Sequence, residues 1–202
     1  MTMSKKNKQI CIILDLDRTL IDDMYKPYPN VKEFIDSIIN LSDYRILWTA
    51  GNKEHLFKFL QTPFLFPPNY HLNFFKLLSG LYENTKSANL IHDLISSTNK
   101  NIKRNDIFYI LIDDSASRYM NNGYDQIIDV TKYTTLSKIN NIEYIEYEFI
   151  LQDLKKIINK KISKNKSRPN KNNTDDDTIR NSIINVPKTY KRKRLSSNNN
   201  ED

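Results

Sequence analysis

Asp15 and Asp17 stand one residue apart at the end of an apolar run, in CIILDLDRTLIDD (Cys11–Asp23). A buried strand that closes on two like charges is unfavourable unless a cation or a set of donors meets them. The pattern returns in IFYILIDDS, where Asp113 and Asp114 end a second apolar run. Carboxylates gathered this way are hard oxygen ligands suited to Mg²⁺ and, through that ion, to a phosphate. Two hydroxyls accompany them: Thr19 in DRTL and Thr49 at the end of YRILWTA. Lys86, in NTKSANL, offers a fixed positive charge, with Lys76 as the competing lysine.

For these groups to meet, the segments carrying them must lie side by side with the same end upward. Ile10–Leu14, YRILWTA, IFYILIDDS and QIIDV read as strands, the first and, up to its acids, the third being continuous apolar runs, as in a sheet covered on both faces. Between them, NVKEFIDSIINLSD places Val31, Phe34, Ile35, Ile38 and Ile39 on one helical face, with Asn30 as the expected N-cap. KEHLFKFLQ, NTKSANLIHDLISS (with Asn84 as cap) and YEFILQDLKKIINKKI read as further helices. The alternation predicts an α/β fold of Rossmann-like type, a central mostly parallel sheet with helices on both faces. In such sheets ligands bind beyond the carboxyl ends of the strands, where Asp15, Asp17, Thr49, Asp113 and Asp114 would converge. Residues 62–83 carry Pro63, Pro67 and Pro68 among six aromatics and read as an irregular insertion between the second and third motifs.

Charge divides the chain. Met1–Leu154 holds 17 Lys/Arg against 19 Asp/Glu, whereas Lys155–Asp202 holds 14 against 5, so the formal net charge of +7 belongs to the tail. Residues 1–162 are expected to form the folded domain. Residues 163–202 are too poor in apolar side chains to offset their ordering entropy and read as a disordered basic tail. Its Lys191–Arg194 run suits an import receptor, and the tail as a whole weak nucleic-acid contact. The lone Cys11 excludes an internal disulfide, and no apolar run has the length of a membrane span or of a signal peptide's core. The expectation is a soluble intracellular protein without membrane contact, in the nucleus, with cytoplasm or a viral factory as other locations.

These motifs resemble the haloacid dehalogenase superfamily of phosphotransferases. DLDRTL fits its DxDx[TV] motif, and the Thr of LWTAG, Lys86 and the LIDDS pair follow in order. The closer resemblance, over Gln9–Leu154, is to the small CTD phosphatases and the TFIIF-interacting phosphatase domains. Where those carry Arg-Pro-Gly before the first long helix, this chain has Tyr-Pro-Asn. The nucleocapsid-assembly phosphatase of large insect DNA viruses is another relative in the superfamily, and an Asn-, Lys- and Ile-rich chain with a basic tail suits such a source. The resemblance implies a Mg²⁺-dependent phosphoprotein Ser/Thr phosphatase. Asp15 would be the nucleophile and Asp17 the general acid and base. Thr19, Thr49 and Lys86 would bind the phosphate; Asp15, Asp17 (through its carbonyl), Asp113 and Asp114 would hold the metal.

Other readings stay open at this point. The substrate could be a nucleic-acid end or a small metabolite, or the chain could be a non-enzymatic assembly factor acting through its tail. His55, His71 and His92 lack ligand spacing and are assigned no metal role. Trp48 is expected in the core, Asp22 and Asp23 in a solvated loop. The aromatics of 62–83 could form a substrate pocket or a satellite core.

Overall fold

Gln9–Leu14 forms β1, the central strand of a five-stranded sheet. The structure, a computed structural model, describes residues 8–61, 74–80, 85–136 and 143–166. Beside β1 lie β2 (Tyr44–Thr49), β3 (Lys76–Ser79), β4 (Ile107–Asp113) and β5 (Gln126–Asp129), ordered β3-β2-β1-β4-β5 with every pair parallel. The helices are α1 (Val31–Leu41), α2 (Lys53–Leu60), α3 (Ala88–Thr98) and α4 (Tyr147–Lys166). This is the expected Rossmann-like α/β architecture.

The period-2 alternation of the strands sorts the core into two layers. Ile12, Leu14, Ile110 and Ile112 pack with Phe34 and Ile35 of α1 and with Ile150 and Leu154 of α4. Cys11, Ile13, Tyr109 and Leu111 pack instead with Ala88, Ile91 and Ile95 of α3. From β1 the chain moves outward to β2 and β3, then crosses back to β4 and β5. The sheet order therefore reverses between β1 and β4, the two strands that end on acids. In open parallel sheets a crevice forms at such a switch point.

Local structure departs from expectation in four places. Residues 76–79, expected within an irregular insertion, form the edge strand β3; residues 62–73 and 81–84 lie outside the described part, and with them Asn84, His71, Phe64, Phe66, Tyr70 and Tyr82. Thr134–Leu136 (β6) and Glu143–Ile145 (β7) make a small antiparallel pair that short, unpatterned segments did not announce. Asn30 does precede α1, but its backbone is left-handed (φ 63°) and its side chain makes no capping bond; a side-chain cap needs the extended conformation instead. Finally, α3 begins at Ala88, capped by Ser87, so Lys86 precedes the helix rather than opening it. Helix α4 runs to Lys166, so residues 163–166, expected in the disordered tail, are helical; residues 167–202, including Lys191–Arg194, lie outside the described residues. Among the described residues no helix is long and apolar enough to cross a membrane.

Candidate active site

Leu14 pairs with Ile112, and the Asp15 N–H extends the ladder by donating to the Ile112 carbonyl at 2.9 Å. Asp15 and Asp113 thus emerge side by side at the switch point. Between them sits the ammonium of Lys86, 1% exposed, bonded to Asp15 Oδ1 and, at 2.8 Å, to Asp113 Oδ2. The segment that delivers Lys86 is held by Asn122, whose Nδ2 donates to the Lys86 carbonyl (2.8 Å) and whose own carbonyl accepts from the Ala88 N–H (2.9 Å). The Tyr119 ring lies 5.6 Å from Lys86 Nζ. Lys76, the competing lysine, is exposed at the start of β3.

Asp114 completes this cage: one carboxylate oxygen from each of Asp15, Asp113 and Asp114 lies within 4.8 Å of the others. Three carboxylates against one ammonium leave negative charge in surplus. Burial pushes the Asp15 carboxyl up to about 7, against the pull of Lys86. Burial and the neighbouring Asp113 likewise raise Asp114. Burial would lower Lys86, but the two carboxylates outweigh it and hold the ammonium more firmly protonated than usual. Hard oxygen donors, closely spaced and short of positive charge, fit a metal ion, and this triad could hold one.

Asp17 has partners of its own. The strand stops at Leu14, and the chain then coils about the Leu16 carbonyl, which accepts from the N–H groups of Leu20 (2.8 Å) and Ile21 (3.1 Å). Arg18 is left-handed there, at φ 56°. Once the extended conformation ends, residues i and i+2 are not bound to share a direction, and the carboxylates grouped at the cage are those of Asp15, Asp113 and Asp114. Asp17 Oδ2 accepts from Thr49 Oγ1 at 2.7 Å, and Asp17 Oδ1 is hydrogen-bonded to His55 Nε2 at 2.6 Å. Thr49 Oγ1 in turn accepts from the Gly51 N–H at 2.9 Å. The Thr49 proton, expected on a phosphate, is thus directed at Asp17. Asp17 keeps 42% of its side chain exposed, against 6% for Asp15.

Thr19 is fully buried, and its Oγ1 has no hydrogen-bond partner among the described residues. Its carbonyl accepts from the Tyr147 hydroxyl at 2.6 Å, and Tyr147 stacks on Phe34 at 4.3 Å, so the first residue of α4 braces the DRTL loop. Trp48 is buried, its Nε1 donating to the Gly80 carbonyl at 2.8 Å, as a core residue should. Asp22 accepts from the N–H groups of Met24 and Lys26, and Asp23 pairs with Arg18, which makes both loop-shaping residues. His92 bonds the Tyr109 hydroxyl away from the cage. Two site residues carried no motif: His55 and Asn122. A signal for His55 was present, because Asn52 caps α2 directly after the Thr49 strand end and places residue 55 in the helix's first turn. Asn122 had none, being brought in by tertiary contact alone. No family model and no curated protein matches this chain.

Proposed function

We propose that the protein is a Mg²⁺-dependent phosphoric monoester hydrolase of the haloacid dehalogenase type, acting on phosphoserine or phosphothreonine in proteins. The observation that supports it most is the buried Lys86 ammonium shared by Asp15 and Asp113 at the switch point, beside a third carboxylate. A carboxylate can approach an anionic phosphate only where fixed positive charge offsets the repulsion. Lys86 supplies part of that charge and aligns Asp15. The metal, held by Asp15, Asp113 and Asp114 with the Asp17 carbonyl, would supply the rest.

In the first step an Asp15 carboxylate oxygen forms a bond to phosphorus as the ester P–O bond breaks. Asp17 gives its proton to the departing oxygen, leaving an aspartyl phosphate on Asp15. In the second step water attacks that phosphorus, Asp17 takes the water's proton, and the Asp15 carboxylate is released with inorganic phosphate. The two acids need different surroundings, and they have them: Asp15 is dry and ion-paired, whereas Asp17 stays in contact with water through which protons can exchange. Phosphate release from an aryl phosphate in the presence of Mg²⁺ tests the reading. The expected result is turnover by the wild type and a loss of about a thousandfold or more in Asp15→Asn. A panel of phosphopeptides, 3′-phosphorylated DNA and sugar phosphates then tests the substrate class, with phosphopeptides expected to be turned over fastest. We assign the Lys191–Arg194 run to nuclear import, to be tested by fusing residues 163–202 to a fluorescent reporter.

A further inference from the structure

A general acid that becomes a general base must keep one direction through both steps while leaving a lone pair open to the reacting oxygen. Asp17 has a carboxylate oxygen on each of two partners, Thr49 and His55, which fixes the plane of the group. Each oxygen has a second lone pair, so these bonds leave the carboxyl able to meet a substrate.

We propose that His55 is a positioning residue for Asp17. It holds Oδ1 so that the carboxyl stays aimed at the leaving oxygen and then at the attacking water. The proposal rests on the phosphoryl-transfer reading above. The His55 ring is itself held from several directions. Asn52 Oδ1 accepts from the backbone N–H of His55 at 2.8 Å and locks the first turn of α2, which carries the ring. The Tyr25 ring meets the imidazole edge-on, with centroids 5.2 Å apart. Gly51 lies so close that a Cβ there would stand 2.7 Å from His55 Cδ2 and 3.2 Å from Thr49 Oγ1. A side chain at 51 would displace both partners of Asp17 together. Only 16% of the His55 side chain is exposed, although it lies on a short helix whose neighbouring residues Lys53, Glu54 and Phe57 face solvent.

A purely structural role explains less. Asp17 is exposed enough for water to replace a lost partner, and polar pairs at such positions contribute little to stability. What water cannot replace is direction. The consequence is selective: loss of aim should matter where the leaving oxygen needs a proton and little where it does not.

The test compares kcat/KM, which reports the step up to the phosphoenzyme, for two esters in the presence of Mg²⁺. Phenyl phosphate has a leaving group that needs protonation; dinitrophenyl phosphate has one that does not. His55→Ala is expected to lower kcat/KM on phenyl phosphate by about tenfold or more and on dinitrophenyl phosphate by less than about threefold. His55→Gln, which keeps a side-chain donor, is expected to recover most of the loss. Gly51→Ala, acting on the intact histidine, should reproduce the selective pattern. An equal loss on both esters, or no loss on either, overturns the role of His55 while leaving the phosphatase reading standing. A folded wild type that turns over neither ester overturns that reading and the role of His55 with it.

Discussion

Asp15 and Asp17 belong to one tripeptide, yet the fold gives them opposite environments. On one side, β1, β4 and the segment before α3 enclose Asp15, Asp113 and Lys86 in a dry cage where neither the lysine nor the two acids exceed a few per cent exposure. On the other, β2 and α2 present Thr49 and His55 to a carboxylate still open to water. The difference teaches where the cost of each half lies. Buried charges must be matched or they destabilise the fold, whereas a half-exposed carboxylate with two partners affects mainly its own orientation.

The largest expected effect breaks the cage. Lys86→Met leaves two buried carboxylates without their cation and is expected to cost about 3–5 kcal/mol in urea unfolding. Adding Asp15→Asn to that variant should restore part of the loss, because the two changes share one interaction. A strictly additive double variant would mean that the pair is not coupled.

A smaller effect concerns the metal. An ion that binds the folded cage and not the unfolded chain raises stability with its concentration, by about 2.7 kcal/mol at a hundredfold excess over Kd. Mg²⁺ is therefore expected to raise the Tm of the wild type and of Asp17→Asn, whose carboxylate lies outside the cage. It should leave the Tm of Asp113→Asn/Asp114→Asn unchanged. Loss of the shift in Asp17→Asn would erase the distinction between the two halves.

The smallest effect lies on the open side. Asp17→Asn without metal should change unfolding free energy by no more than about 0.5 kcal/mol, since an exposed, isosteric change creates no cavity and no buried orphan. A loss comparable to that of Lys86→Met would show that Asp17 is as deeply embedded as Asp15.

The cage was largely legible in the sequence, the open side only in part. Apolar strands ending on Asp15 and Asp113 carry a strong local pattern, and the parallel sheet follows from alternation with helices such as α1. Lys86 was readable as a charge near the strand ends, but its burial depends on Asn122, which no local pattern connects to it. The pairing of Asp17 with His55 escaped because it depends on where β1 stops. A period-2 reading takes the strand on to Asp17, and it does not anticipate the coil about Leu16 that follows Leu14. β3 was hidden for another reason. It has four residues, pairs with β2 alone and is half exposed, so it bears neither a buried run nor a clear alternation.

In the proposed reaction the dry Asp15 carboxylate makes the bond to phosphorus. The most direct measurement is acid quenching of the Mg²⁺-loaded protein during turnover of an aryl phosphate, followed by peptide mass spectrometry. The expected result is an acid-stable, hydroxylamine-labile phosphoryl group on the peptide containing Asp15, absent in Asp15→Asn and accumulating in a variant whose second step is slowed. Phosphate release that continues in Asp15→Asn, or a phosphoryl group found on another residue, would contradict it.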